Sequence, residues 1–242
     1  MLLRFRVQSS SPSQSSPDSS PHLCRPEERS ALLDFKSTTT NLAESYFRCR
    51  DIIQTWNESL VMPSSLLNLT SSLEYLSLCS CNLQGNFPNQ VFQLPSLQFL
   101  DLSYNFGLGG NLPESNQSGT LEYLNLDSCQ FYGSIPASIF NLTHLTFLSL
   151  SSNNILGCVP SWLFSLPSLF HLDLQNNCLT GSIDHVEMPN LFLQEVYLSS
   201  NEISGSIPSF FFDLAHLTRV DLSSNNLTGT ITPNMLSKAC RP

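Results

Sequence analysis

The chain has 242 residues, of which 41% are hydrophobic and only 12% are charged. This length fits one or two ordinary domains or a single repeat array, and the hydrophobic content is sufficient for a buried core. Ten Lys and Arg stand against nineteen Asp and Glu, for a formal net charge of −9. Binding to phosphates requires clustered cationic side chains, so this balance argues against nucleic acid and anionic membrane surfaces as partners.

The N-terminal segment carries no pattern that would bury surface. Residues 8–21 consist largely of Ser and Pro, which predicts a disordered leader over residues 1–22. Arg4 and Arg6 are not followed by the apolar run of about 7–15 residues that a signal peptide needs. No apolar stretch in the sequence approaches the roughly 20 residues of a membrane helix.

From Leu73 onward, hydrophobic residues recur every 24 positions. The seven repeat starts are Leu73, Leu97, Leu121, Leu145, Leu169, Leu193 and Leu217. The third position after each start holds Leu76, Leu100, Leu124, Leu148, Leu172, Val196 and Val220. The eighth position after each start holds Cys81, Asn105, Cys129, Asn153, Asn177, Asn201 and Asn225. With a further Leu at the fifth position, the pattern is L-x-x-L-x-L-x-x-N/C over seven consecutive units.

Each unit predicts a short strand with one buried face. Because the x-L-x-L-x alternation has a period of two, the leucines point to one side and the intervening residues to the other. One such strand cannot bury its leucines alone, but seven stacked strands form a parallel sheet, spaced about 4.8 Å apart, over one continuous core. The Asn after each strand can both donate to and accept from backbone groups at the turn, which predicts a ladder of stacked Asn side chains.

A Gly-x-apolar-Pro sequence follows the Asn position in five units, at residues 85–88, 110–113, 133–136, 157–160 and 205–208. Gly permits a bend, and Pro fixes φ where no backbone donor is needed. Asp184 and Thr232 stand in place of this Pro in two other units. Short apolar stretches then follow, such as residues 137–142 and 209–214, and predict turns of helix on the side opposite the sheet.

The combined pattern resembles the plant-specific leucine-rich repeat. The sequences at residues 100–105 (LDLSYN) and 139–143 (IFNLT) are similar to those of receptor-like proteins of plant cell surfaces, the kinase-less relatives of receptor kinases. The resemblance implies a leucine-rich-repeat solenoid, an α/β horseshoe with right-handed superhelical sense. Its parallel β-sheet would form the concave face, and short helical turns would lie on the convex side.

The same resemblance suggests the domain organisation. Residues 24–36 (CRPEERSALLDFK) are similar to the N-terminal cap of the family, although the cysteine-rich second part of that cap does not follow. We expect the leader over residues 1–22, a remnant of the cap with a partial repeat over residues 23–72, seven 24-residue repeats over residues 73–236, and a tail over residues 237–242. The chain is expected to be an abbreviated copy of a longer receptor.

The outward strand positions define the candidate binding surface. Four aromatic side chains in a row on a solvated sheet are favourable anchors for a protein or peptide, with a polar end beyond them. The alternative is that neighbouring rings only cover one another and that the acids have no binding role. The candidate ligand-binding residues are Tyr75, Phe99, Asp101, Tyr123, Asn125, Phe147, His171, Asp173, Tyr197, Arg219 and Asp221.

Modification sites are also suggested by the sequence. N-x-S/T sequons occur at Asn57, Asn68, Asn116, Asn141 and Asn226 and predict glycosylation if the chain is secreted. Asn68 and Asn141 share one repeat phase, on the expected convex side.

The cysteines are considered separately. Cys24 and Cys49 are candidates for a disulfide in the cap. Cys81 and Cys129 lie two repeats apart, beyond disulfide reach of each other, and are expected to be reduced core residues. Cys79 is expected to be an outward-facing free thiol.

The sequence contains no hydrolase, metalloprotease, P-loop or kinase motif, so we expect no enzymatic activity, no cofactor and no metal. The resemblance implies a cell-surface or extracellular module that binds a protein or peptide ligand in defence or developmental signalling, with a receptor kinase as a further partner. Two alternatives stay open: a soluble inhibitor of a cell-wall-degrading enzyme, and a truncated gene product without function.

Overall fold

A computed structural model describes residues 2–5, 73–114, 119–233 and 235. Regular structure in this part of the chain is mostly short β-strand. The strands in chain order are β1 (Leu2–Phe5), β2 (Leu73–Ser77), β3 (Gln84–Asn86), β4 (Phe99–Asp101), β5 (Gly107–Asn111), β6 (Tyr123–Asn125), β7 (Gln130–Ser134), β8 (Phe147–Ser149), β9 (Asn154–Cys158), β10 (His171–Asp173), β11 (Cys178–Thr180), β12 (Glu195–Tyr197), β13 (Ser204–Ser206), β14 (Arg219–Asp221) and β15 (Asn226–Thr228).

The concave sheet confirms the predicted solenoid. Its order is β1-β2-β4-β6-β8-β10-β12-β14, and each repeat strand pairs in parallel with the strand of the next repeat. Paired residues are 24 positions apart in the sequence, since Leu76 lies opposite Leu100 and Leu100 opposite Leu124. All three side chains are buried in one core cluster that runs through the repeats.

The edge strand β1 was not predicted. Residues 1–22 were expected to be disordered, but Leu2–Phe5 pair antiparallel with β2, with Leu3 opposite Leu76. The open edge of β2 presents a row of backbone N–H and C=O groups, and an added strand satisfies them. This pairing depends on backbone groups distant in sequence, which composition does not reveal.

The Asn ladder is present and connects adjacent repeats. Asn153 Nδ2 donates to the carbonyl of Leu150 at 3.0 Å and to that of Leu126, in the preceding repeat, at 2.8 Å. Its Oδ1 accepts from the N–H of Phe131 at 2.8 Å. The same contacts recur at Asn105, Asn177, Asn201 and Asn225.

Cys129 occupies a ladder position in place of Asn. Burial raises the pKa of its thiol to about 12, so the thiol is protonated and donates to the carbonyl of Leu102 at 3.2 Å. Cys79, Cys129, Cys158 and Cys178 are free thiols.

Cys81 corrects one prediction, because it is disulfide-bonded rather than reduced. The distance argument excluded Cys129 as its partner, and Cys129 is indeed free, but that argument did not address the other cysteines. Cys24 and Cys49, the predicted disulfide pair, lie outside the described residues.

A second sheet lies beyond the Asn ladder and was missed by the sequence analysis. Strands β3, β5, β7, β9 and β11 form a five-stranded sheet, and β13 pairs with β15 further along. The Gly that was interpreted as a bend lies inside each of these strands except β11 and β15, which are directly followed by Gly181 and Gly229. Gly133 and Gly157 do have φ of 84° and 83°, which an L-residue rarely adopts, yet their neighbours pair in parallel across repeats.

Among the described residues, four 3₁₀ helices follow Pro residues on the convex side, as predicted for the short apolar stretches. They span Asn89–Gln93, Ala137–Asn141, Ser161–Ser165 and Ser209–Asp213. The repeat with Asp184 in place of Pro forms no helix over residues 184–192. In this region the ring of Phe164 lies 5.2 Å from that of Phe210 and 5.5 Å from that of Phe211, so aromatic side chains from the two flanking repeats pack together.

No helix among the described residues is both long enough and apolar enough to cross a membrane.

Candidate functional site

The predicted site residues fall into two parallel rows on the outward face of the concave sheet. We call the first row the aromatic column: Tyr75, Phe99, Tyr123, Phe147 and His171. The second row, the acidic column, holds Ser77, Asp101, Asn125, Ser149, Asp173, Tyr197 and Asp221. The parallel register therefore brings together all the candidate ligand-binding residues, and Arg219 continues the first row on β14, beyond Glu195.

The aromatic column is a continuous stack of rings. Successive ring centroids lie 4.0, 4.1, 4.4 and 4.2 Å apart from Tyr75 to His171, and the interplanar angles are 5–11°. The spacing follows the strand spacing, since each strand contributes one ring. Phe99, Tyr123 and Phe147 have both faces covered, so only ring edges and the tyrosine hydroxyls are offered to a ligand. The alternative interpretation, that neighbouring rings cover one another, therefore holds for the ring faces but not for the ring edges.

Beyond the rings the column becomes charged. Glu195 Oε2 lies 2.8 Å from Nδ1 of His171, and Glu195 Oε1 lies 3.2 Å from Nη1 of Arg219. One carboxylate therefore joins the last ring of the stack to a cation that is 68% exposed. Glu195 was not among the predicted site residues; its position two residues after a repeat start, between His171 and Arg219 in the same row, is the signal that could have identified it.

The acidic column stabilises the turns that leave the strands. Asp101 Oδ1 accepts hydrogen bonds from the backbone N–H and the hydroxyl of Ser103 at 3.0 and 2.7 Å. Asn125, Asp173 and Asp221 likewise accept from the backbone N–H two residues further along, each at 3.0 Å. This is the Asx-turn contact, a structural role that these side chains have with or without a ligand.

Asp173 is the one acid of this column whose pKa rises strongly. Burial raises its pKa from 3.8 to about 6, and the charges of Asp127 and Asp221 act in the same direction, against the N–H of Gln175 and the charge of His171. Asp221, which is partly buried, has a lowered pKa because Ser223 donates to it through its hydroxyl and its N–H. The pKa values of two carboxyl groups in one row are thus shifted in opposite directions by their surroundings.

We expect Asp173→Asn to change how stability depends on pH. The folded state holds the Asp173 proton more tightly than the unfolded chain, so this stabilisation is complete below about pH 4 and is lost as pH rises through about 6. The variant lacks the titration and should match wild type near pH 4 but exceed its free energy of unfolding by about 1–2 kcal/mol at pH 7, after allowance for solvent screening. Urea unfolding at several pH values measures this.

Asp221→Asn is the matched control, because its pKa shift has the opposite sign. It should slightly destabilise the protein at neutral pH and have no effect in strong acid. Equal effects of the two substitutions at all pH values would contradict the assignment.

Two of the five sequons lie in the described part of the chain. Asn141 is exposed at the end of the helix Ala137–Asn141, on the convex side as predicted, and Asn226 is exposed at the start of β15. Neither lies on the concave sheet, so a glycan at either position leaves the two columns open. Asn57, Asn68 and Asn116 lie outside the described residues.

Comparisons with known proteins agree with this architecture. Family models described as leucine-rich repeat match residues 119–179, residues 72–94 and 192–214, and residues 213–231. Receptor-like protein 6 of Arabidopsis thaliana is 48% identical over 42 residues, which make up 17% of this chain and 4% of that protein.

Solved structures of plant proteins are similar to this chain over a larger part of its length. The plant peptide hormone receptor RGFR1 in complex with RGF2 is similar with a TM-score of 0.65 and 34% identity, over 74% of this chain and 28% of that one. A plant ice-binding protein is similar with a TM-score of 0.61 and 30% identity, over 90% of this chain and 68% of that one.

Stacked parallel strands, an Asn ladder and a second Gly-containing sheet define a plant-type repeat solenoid. The chain belongs to the leucine-rich-repeat family, and its repeats are those of plant receptor-like proteins and receptor ectodomains. It spans 4% of the length of Receptor-like protein 6 and 28% of the RGFR1 chain.

Proposed function

We propose that the concave sheet binds an extended peptide, or an extended segment of a protein, along the aromatic column. The observation that carries this proposal is the unbroken row of five stacked rings that leads into the His171–Glu195–Arg219 cluster on an open face. The structural similarity to a receptor in complex with a peptide hormone supports it. The module would act at the cell surface or outside the cell, with a receptor kinase as signalling partner.

The geometry defines the kind of ligand. Five strands spaced about 4.8 Å apart give a binding line of about 20 Å, the length of about six residues of extended peptide. Ring edges carry partial positive charge, so backbone carbonyls and aromatic faces of the ligand are their favourable partners. The neighbouring Asp101 and Asp173 favour a cationic side chain directed toward the acidic column.

A rigid, pre-formed surface also lowers the entropic cost of binding. Each inner ring is held between two others, so few rotamers are lost when a ligand arrives. Aromatic anchors of this kind contribute most of the binding free energy at many interfaces.

Replacing two inner rings tests the proposal. Peptides are selected from a random displayed library against the wild-type chain, and their affinity is then measured for Tyr123→Ala combined with Phe147→Ala. We expect affinity to fall at least thirtyfold, because two central anchors are removed. Circular dichroism confirms that the variant is folded.

The matched control removes two exposed apolar side chains from the second sheet, through Tyr132→Ala combined with Leu156→Ala. It should leave affinity unchanged. Selected peptides that bind the concave variant as tightly as wild type, or that depend on the second-sheet residues, would refute the proposal.

A further inference from the structure

The turn after β4 carries two exposed aromatic side chains. Tyr104 is 49% exposed and Phe106 is 68% exposed, and their rings pack edge to face with centroids 6.5 Å apart. The other six repeats hold Ser or Asn at the position of Tyr104, and Asn, Gln, Cys or Glu at the position of Phe106. Neither ring belongs to the buried core, so the repeat pattern and the packing of the interior do not explain this pair.

The backbone of Tyr104 has a conformation that suits an aromatic residue poorly. Its φ is 58°, and the equivalent residues of the other repeats, all Ser or Asn, have the same left-handed conformation. The repeat imposes it, since the N–H of Tyr104 donates to the carbonyl of Asp127 at 2.8 Å, just as the N–H of Ser128 donates to that of Ser151 at 3.0 Å. Bulky L-residues are disfavoured in this region. Because a half-exposed ring returns little through burial, the pair indicates a contact made outside the fold.

The hydroxyl group of Tyr104 is directed to a carboxylate. The charge of Asp127 and a hydrogen bond to it raise the pKa of this hydroxyl, and the charge of Asp101 acts in the same direction. Asp127 Oδ1 also accepts from the hydroxyls of Ser128 at 3.1 Å and Ser151 at 2.6 Å. A carboxylate accepts about four hydrogen bonds, so Asp127 can accept one more from a ligand.

The repeats contain almost no cations that could neutralise the acids near this pair. Between residues 73 and 233 the sequence has one Arg, Arg219, and no Lys, against twelve Asp and Glu. Arg219 lies on β14, five strands from β4, or roughly 24 Å at the usual strand spacing. Within residues 73–114 and 119–233, neither Asp101 nor Asp127 has a cationic partner. An exposed aromatic pair beside two such carboxylates is complementary to a cation, since ring faces also attract positive charge.

We propose that Tyr104, Phe106 and Asp127 bind an Arg or Lys side chain near one end of the ligand that lies along the aromatic column. This binding mode rests on the proposed function and adds to it the charge of the ligand and a second point of contact. Phe99 and Tyr104 are five residues apart in the chain, at most about 18 Å. About four extended residues therefore carry the ligand from the column over Asp101 to the aromatic pair. There the cation contacts ring faces, which the inner rings of the column do not offer.

Replacing the aromatic pair tests this binding mode. The probe is the tightest peptide selected from the random displayed library on the wild-type chain, prepared by synthesis. Tyr104→Ser combined with Phe106→Asn installs residues that other repeats carry at these positions. We expect this variant to lose affinity for the probe by about tenfold or more, with a urea midpoint no lower than that of wild type. Phe192→Ala, which removes a similarly exposed ring in another repeat, is the control and should leave affinity unchanged.

A double-mutant cycle tests the charge. Asp127→Asn keeps an oxygen acceptor for Ser128 and Ser151 but removes the charge, so affinity should fall about fivefold or more and depend less on salt. Replacing the cationic residue of the probe by Gln should weaken binding to wild type by a similar factor, but binding to Asp127→Asn by less than about twofold. A selected peptide without Arg or Lys, or equal losses for both proteins in the cycle, overturns the assignment of the cation.

The outcomes separate this binding mode from the proposed function. A probe that needs Tyr123 and Phe147 but binds the variant without the aromatic pair as tightly as wild type overturns this binding mode and leaves the proposed function intact. A probe that needs Tyr104 and Phe106 but not the column residues overturns both, because the two clusters then do not share a ligand. A lower urea midpoint of the variant without the pair shows that these rings serve the fold, and this result also overturns the binding mode.

Discussion

Asn153→Ala is expected to lower the free energy of unfolding by about 3–5 kcal/mol, because it removes a side chain that satisfies buried backbone groups in two repeats. Without the amide, the N–H of Phe131 and the carbonyls of Leu126 and Leu150 lose a partner in the core. Urea unfolding monitored by circular dichroism measures the loss.

Two comparisons isolate the cause. Asn154→Ala changes the next residue, which is exposed, and should alter stability by less than about 0.5 kcal/mol. Asn153→Cys should cost less than Asn153→Ala, because Cys129 shows that a protonated thiol at this position donates to the preceding repeat. If Asn153→Ala costs no more than Asn154→Ala, the ladder does not couple the repeats.

Phe164→Ala is expected to cost about 3–5 kcal/mol, the usual range for removing a fully buried aromatic side chain. Its ring packs against Phe210 and Phe211, across the repeat that has no convex helix. The cavity left by the Phe164 ring therefore borders residues 184–192, where the next repeat has no helical turn that could fill it. Urea unfolding again gives the free energy.

Phe192→Ala is the matched control, since that ring is 65% exposed on the same side of the solenoid. It should change stability by less than about 0.5 kcal/mol. Equal losses for Phe164→Ala and Phe192→Ala would show that the aromatic cluster does not replace the missing helix.

The sequence predicted that the candidate residues lie in one row, but it did not predict that their rings stack. The period of 24 placed Tyr75 through His171 in one row, because parallel strands in equal register align the same repeat position. The row alone did not distinguish open rings from stacked rings. That depends on side-chain torsions, which place the ring centroids 4.0–4.4 Å apart and turn the edges outward.

The charged cluster was also predicted only in part from the sequence. His171 and Arg219 were among the residues predicted from the sequence, and Glu195 shares their repeat position. Only the fold shows that the Glu195 carboxylate contacts both side chains. The Asp residues of the acidic column were assigned no structural role from the sequence. In the fold they accept hydrogen bonds from the turn two residues on, as Asp101 does from Ser103.

The sequence by itself determined the concave sheet, its register, the buried leucine columns and the Asn ladder, because these follow from a short repeat whose local pattern has one stable way to bury its apolar face. Only the tertiary structure decided the strand β1, the second sheet, the disulfide at Cys81 and the Phe164 cluster. The second sheet follows the 24-residue period through its Gly position, which was interpreted only as a bend. The strand β1, the disulfide and the Phe164 cluster join groups that are distant in sequence or that stand outside the period. Their partners are selected by proximity in the folded chain, and no local pattern encodes that proximity.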